Sequence, residues 1–229
     1  MSMKPQKRGD EKQLAEKIAR KKRRSEYISP LPPRTIIYCE GTKTEPHYLQ
    51  AIVNLIKEKY RQYAKDERIK LDQITIKGTA RSGRSLYEYA IDKTAPDTKK
   101  VWLVYDKDDF PAEDFNVTPI LVATHNKKSN TEYHAIWSNE CFELWLLLHF
   151  IPLESNLSRT EYRRKLKEND KLPGYKKSDT NIYDRINDKT SIAIENAKLL
   201  NKKHGNITPS QMSPCTMMFE LVDWLRTYL

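Results

Sequence analysis

Four short apolar runs, each followed by a stretch with helical spacing, constrain this chain more than any other feature. Thr35 to Cys39 is the first run, rich in β-branched residues and bounded by Pro32, Pro33 and Gly41. A helix from about Glu45 to Tyr60 follows, with Tyr48, Ile52, Leu55, Ile56 and Lys59 on one face. Leu71 to Lys77 alternates apolar and polar residues as a second strand, and a second helix opens at Ser82 or Gly83 and ends at Pro96. Val101 to Tyr105 reads as a third strand, followed by a helix over Phe115 to Lys128. Glu132 to Trp137 is the fourth strand, with Asn139 as the N-cap of a helix from Glu140 to Phe150. Strand and helix alternating in this way predict an α/β fold, a parallel four-stranded sheet with helices on both faces. From Pro152 onward only helical patterns are legible: Thr160 to Asn169, Asn181 to Asp188, Ser191 to Lys203 and Cys215 to Tyr228. The expected organisation is therefore a basic arm (1–33), an α/β domain (34–151) and a helical extension packed on it (152–229).

The net charge of +10 is unevenly placed. Residues 1–33 carry ten Lys/Arg against four Asp/Glu, and the remainder carries 31 against 27. The body is nearly balanced, so isoelectric point alone does not argue for nucleic acid. The arm holds Arg20, Lys21, Lys22, Arg23 and Arg24, with a short helix possible from Glu11 to Ser25. Either Arg23 and Arg24 contact phosphates through counterion release, or the arm is a solvated charge run. No stretch approaches the roughly 20 apolar residues of a membrane span, and the N-terminus lacks the apolar core of a signal peptide. The reading is a cytosolic protein with no membrane contact. Three widely spaced cysteines, Cys39, Cys141 and Cys215, suggest neither a disulfide framework nor a zinc site.

Two acidic clusters end buried strands. Glu40 closes the first, ahead of Gly41, and Asp106, Asp108 and Asp109 close the third. Asp106 and Asp108 project to one side if strand geometry continues past Tyr105. For these acids to meet, the first and third strands must be neighbours, which predicts strand order 2-1-3-4 with the switch point between them. An oxygen-rich site of this kind suits Mg²⁺, which keeps several waters and binds substrate phosphates. A solvated acidic turn would carry the same residues. Glu143 lies in a helix that is apolar nearly all round, so its carboxylate needs a partner: a structural ion pair, or a place beside the metal site. His149 reads as a satisfied histidine on that helix. Lys43, and Arg81 and Arg84 at the second helix start, are candidate phosphate contacts or ordinary loop charges.

A strand-terminal Glu-Gly followed by D-x-D after a later strand resembles the Toprim domain of topoisomerases, primases and overcoming-lysogenization-type nucleases. More specifically, CEGTKTEPHY, VWLVYDKDDF, SNECFELWLLLHF and PGYKK resemble the RloB family, found beside restriction-modification and abortive-infection genes in bacteria. The resemblance spans about residues 34–228 and leaves the basic arm outside. It implies a Toprim-like sheet, a Mg²⁺- or Mn²⁺-dependent nuclease acting on DNA or RNA, and a role in phage defence beside a partner protein. By motif, Asp106 and Asp108 would hold the metal, with Glu40 as a further ligand or general acid/base. Asp109 and Glu143 would stand at its edge or at a second metal, and Lys176 of PGYKK would face the scissile phosphate. Where the family usually has Pro after the Asn of the fourth block, this chain has Glu140, which suits a first helical turn equally well. A non-catalytic nucleic-acid- or nucleotide-binding module of a defence complex is the alternative. A haloacid-dehalogenase-type phosphatase places its D-x-D after the first strand, not the third. A D-x-D sugar transferase has no sugar-site signature here.

Overall fold

In the computed structural model, residues 16–17, 31–61, 72–205 and 207–229 are described. The expected helix at Glu11 to Ser25, with Arg23 and Arg24, falls almost wholly outside them. The sheet runs through β1 (Thr35–Cys39), β2 (Ile74–Gly78), β3 (Lys100–Asp106) and β4 (Glu132–Asn139). These four are parallel, with β1 between β2 and β3, as the meeting of the two acidic clusters requires. One strand was not foreseen. Cys215–Thr216 forms β5, antiparallel to β4, so the sheet is mixed, with order 2-1-3-4-5. Its two residues sit inside the segment read as the start of the last helix. Thr216 Oγ1 lies 2.9 Å from Ser138 Oγ on β4, a buried cross-strand pair that fixes the edge.

β1 is buried along its whole length and β3 along all but its first residue, which is why both read as unbroken apolar runs. On one face Tyr38, Leu103, Tyr105 and Trp137 pack with Leu86 and Ala90 of α2 (Gly83–Lys93) and with Phe115 and Val122 of α3 (Ala112–Asn126). On the other, Trp102 stacks on His134 and meets Trp224 of α8 (Met218–Arg226). That face is also covered by α1 (Thr44–Arg61), whose Tyr48 makes edge contacts with Phe142, Trp145 and Tyr183.

The fourth helix is shorter than its sequence suggests. α4 spans only Glu143–Leu147, and Asn139 is a strand residue whose side-chain amide donates to the carbonyls of Pro209 and Ser210. The all-apolar composition of Leu144–Leu148 reflects complete burial on every side. His149 is buried there too, Nδ1 beside the Trp145 carbonyl and Nε2 3.3 Å from Tyr48 Oη. Burial pushes its pKa down to about 4, so it is a neutral core residue. The chain then forms α5 (Arg159–Leu166), α6 (Ile182–Ile186) and α7 (Thr190–His204) before returning to the sheet. Ser158 caps α5 reciprocally with Glu161. Pro32–Leu229 form one compact unit, so the extension belongs to the same core as the sheet. Among the described residues no helix is long and apolar enough to cross a membrane.

Candidate functional site

The carboxyl ends of β1 and β3 are adjacent because Cys39 pairs with Val104. One residue further on, Glu40 donates its backbone N–H to the Val104 carbonyl, and its Oε2 accepts the backbone N–H of Asp106 at 3.0 Å. The two expected acids are thereby locked side by side. Asp106 is only 8 % exposed, and its Oδ2 accepts the backbone N–H of Phe142 at 3.1 Å. The loop ahead of α4 is therefore folded onto the end of β3.

A third carboxylate joins them. Glu45, in the first turn of α1, is also 8 % exposed and lines the same cleft of about 230 Å³, with Glu40, Asp106, Asp108, Lys43 and Lys177. It reaches the cleft because Gly41 has no side chain: a Cβ there would stand 2.6 Å from both Cδ and Oε1 of Glu45. The glycine of the Glu-Gly turn is a cradle for this carboxylate. Gly41→Ala should push Glu45 out of place and cost about 1–3 kcal/mol by overpacking. A melting temperature equal to wild type would show that the cradle is not tight.

The site is short of positive charge. Burial raises the Asp106 carboxyl well above the ordinary carboxylate range, and the charges of Glu45, Glu40 and Glu143 raise it further. Glu45 is pushed up to about 7, chiefly by burial and against the pull of Lys177. An acid with a raised folded-state pKa contributes stability that is intact below its unfolded value and is lost as pH rises through the folded one. Without divalent cation, Glu45→Gln should therefore change little near pH 4 and stabilise the fold by about 3 kcal/mol at pH 8. Urea melts at the two pH values, in EDTA, check this. A pH-independent difference would contradict it.

Asp108 departs from expectation. β3 ends at Asp106, and Asp108 has φ +38°, so strand alternation does not carry past Asp106. The Asp108 carboxylate is ion-paired with Arg159 of α5 at the rim of the cleft. Glu143 is 2 % exposed and is a structural partner: its Oε1 accepts from Arg163 Nε at 2.8 Å and from Tyr175 Oη at 3.4 Å. Asp109 lies beyond the cleft, in a shallow depression with Phe110, Pro111 and Arg159. Lys176 is exposed and does not line the cleft. Its neighbour Lys177 does, held there by Thr44 Oγ1, which donates to the Lys177 carbonyl at 2.9 Å. Arg81 lies over the Tyr89 ring and Arg84 pairs with Glu88 at 2.8 Å, both outside the acidic cleft.

A family model described as RloB-like protein matches residues 35–225, which takes in the sheet, the cleft and the helical extension. The chain belongs to the RloB-like protein family. No curated protein and no solved structure matches it. The family segment carries both halves of the site, carboxylates from the strand ends and cations from the extension.

Among the described residues, no three His, Cys, Asp or Glu side chains are arranged to hold a metal ion directly. The donor set nonetheless fits a hard cation. It is all oxygen, and Mg²⁺ needs only one or two carboxylates with retained waters. The Asp106 and Glu45 carboxyls, both raised by burial and by neighbouring carboxylates, mark the electrostatic deficit that such an ion would relieve. Asp106 and Glu45 are the carboxylates that would hold it, with retained waters completing the shell, and Glu40 braces Asp106 beside them.

The sequence reading missed Glu45, Arg159, Arg163 and Lys177. For Glu45 the one available signal was Gly41 four residues ahead of a first-turn acid. The two arginines lie on or just ahead of the helix read at Thr160 to Asn169, and nothing in its charged sequence singles them out.

Proposed function

We propose that this RloB-like chain is a Mg²⁺- or Mn²⁺-dependent phosphodiesterase of Toprim type that cleaves nucleic acid, working in phage defence with a partner protein encoded beside it. The observation that carries this reading is the convergence of Glu40, Glu45 and Asp106 at the switch point between β1 and β3, where ligands bind in open α/β sheets. A bound divalent ion would supply polarisation of the scissile phosphate and a lowered pKa for the attacking water. Glu40 orients the site by holding the Asp106 backbone. Lys43 and Lys177 flank the carboxylates, where ammonium groups offset charge developing on phosphate oxygens. This role falls to Lys177 rather than to Lys176.

Two acids are already engaged by arginines, Asp108 by Arg159 and Glu143 by Arg163. That favours a second reading, a nucleic-acid- or nucleotide-binding module without turnover. Cleavage of labelled single-stranded DNA, duplex DNA and tRNA with Mg²⁺ or Mn²⁺, with EDTA as control, separates the two. Metal-dependent cutting supports the phosphodiesterase. Tight binding with no cutting in any metal, with the co-encoded partner also present, supports the module.

A further inference from the structure

Phe110 is the large apolar side chain that the fold leaves in the open beside the acidic cleft, 42 % exposed and two residues beyond the D-x-D. The turn is well defined: the Phe110 N–H donates to the Lys107 carbonyl at 3.1 Å, and Lys107 Nζ donates back to the Phe110 carbonyl. So Phe110 is presented by a closed turn rather than left over at a chain end.

Phe110 walls two depressions. On one side is a shallow one shared with Asp108, Pro111 and Arg159. On the other is a pocket of about 250 Å³ between the starts of α2 and α3, lined by Ser82, Ser85, Phe115, Asp114 and the Arg84–Glu88 ion pair. Gly83 forms its buried floor at φ +50°, where a Cβ would stand 3.3 Å from the Asp114 carbonyl. Ser82 Oγ donates to the Asp106 carbonyl at 3.4 Å, which ties the pocket rim to the acidic strand. Asp108 is common to the cleft and the shallow depression, and Phe110 to the shallow depression and the pocket. The three thus adjoin in a row along the loops that follow β1, β3 and β2.

The chemistry changes along that row. It begins with carboxylates flanked by Lys43 and Lys177, passes the guanidinium of Arg159, and ends at an aromatic face with hydroxyls, Asp114 and the Arg84–Glu88 pair around it, donors and acceptors that a base edge can meet. This is the order a nucleotide chain presents from a phosphate, across its backbone, to a base. A base can lie flat on an aromatic ring and offer its edge to hydroxyls only when it is out of a duplex stack.

We propose that Phe110 and the pocket behind it are a nucleobase subsite, which takes the unpaired base next to the scissile phosphate of a single-stranded nucleic acid. This rests on the phosphodiesterase reading and narrows its substrate to single strands or to unpaired loops. Arg159, held by Asp108 between the cleft and Phe110, is placed to meet the strand's backbone between the scissile phosphate and the stacked base.

The test compares the full chain with Phe110→Ala and Phe110→Trp. Affinity is read by anisotropy on labelled single-stranded DNA, on RNA of the same sequence, and on duplex, all in EDTA. Stacking is read by the fluorescence of 2-aminopurine in the single strands. Phe110→Ala should weaken single-strand binding roughly tenfold and abolish the 2-aminopurine quench, as loss of an aromatic stacking platform does. Phe110→Trp should retain both, duplex affinity should be equal in all three, and the strand that binds more tightly names the sugar. Unchanged single-strand affinity in Phe110→Ala, or an equal loss for duplex, overturns the subsite. Hydrolysis of bis(p-nitrophenyl) phosphate with Mn²⁺ is measured alongside. If it is hydrolysed and Phe110 is indifferent, the subsite fails alone. If nothing is hydrolysed while the Phe110 effect on binding holds, the subsite stands and the phosphodiesterase reading falls.

Discussion

Asp106→Asn is expected to reduce metal-dependent cleavage by at least about a hundredfold, since altering even outer partners of a metal site costs about 10–100-fold. The same substitution should raise the melting temperature at pH 8 in EDTA. Asn keeps the shape and still accepts the Phe142 N–H, so the loop ahead of α4 stays docked. What it removes is a buried negative charge that Glu45, Glu40 and Glu143 all repel. The sign is fixed by the direction of the shift. The Asp106 carboxyl is raised, so its proton is held more tightly in the fold than in the unfolded chain. The associated stability is intact at acid pH and is lost as pH rises, and the variant is relieved of that loss. Added Mg²⁺ should stabilise the wild type at pH 8 and leave the variant nearly unmoved, because the cation neutralises the charge the variant lacks. Activity lost together with lower stability at every pH would mean that Asp106 holds the fold rather than the chemistry.

The parts of the fold legible in the sequence are those written in burial. β1 and β3 are covered on both faces, so their residues form apolar runs that no helix period explains, and the acids ending them stand out. Adjacency of those strands followed from requiring the two acidic clusters to meet. β5 was illegible because two residues cannot display a period, and their strand character comes from pairing with Ser138 and Asn139. Asn139 misled for a related reason: an Asn before a polar residue is a good cap, but here it is a strand residue paired with Cys215, its amide donating to the carbonyls of Pro209 and Ser210. At the site, side chains fixed by β1 and β3 could be read, and those delivered by α5 and the loop at Lys177 could not. Arg159 and Arg163 are four residues apart on a helix with little apolar content, and only the fold brings them to Asp108 and Glu143. Lys176 and Lys177 are adjacent in sequence, and the bond from Thr44 decides which of them faces the carboxylates.

Arg163→Ala should destabilise the chain by about 3 kcal/mol, the lower end for breaking a buried ion pair from one side. Glu143 is 2 % exposed, and the guanidinium is its nearest cation, with Nε 2.8 Å from Oε1. The lower end applies because Tyr175 Oη at 3.4 Å and Lys177 Nζ at 3.9 Å remain as partners. For a chain of this size the change should lower the melting temperature by roughly 6–12 °C. The double variant Glu143→Gln/Arg163→Ala should recover most of that loss, since a neutral amide in the same place leaves no unpaired charge. Equal losses in the single and double variants would show that Arg163 acts through packing of its stem and not through the pair. The pair also reaches the site. Glu143 is one of the charges that raise the Asp106 carboxyl, and Arg163 is the cation paired with it. In Arg163→Ala the onset of metal-dependent cleavage should move to higher pH, because Asp106 holds its proton more strongly. In Glu143→Gln it should move to lower pH. Opposite shifts from two substitutions in one ion pair are an electrostatic signature, whereas loosening of α5 would displace both profiles the same way.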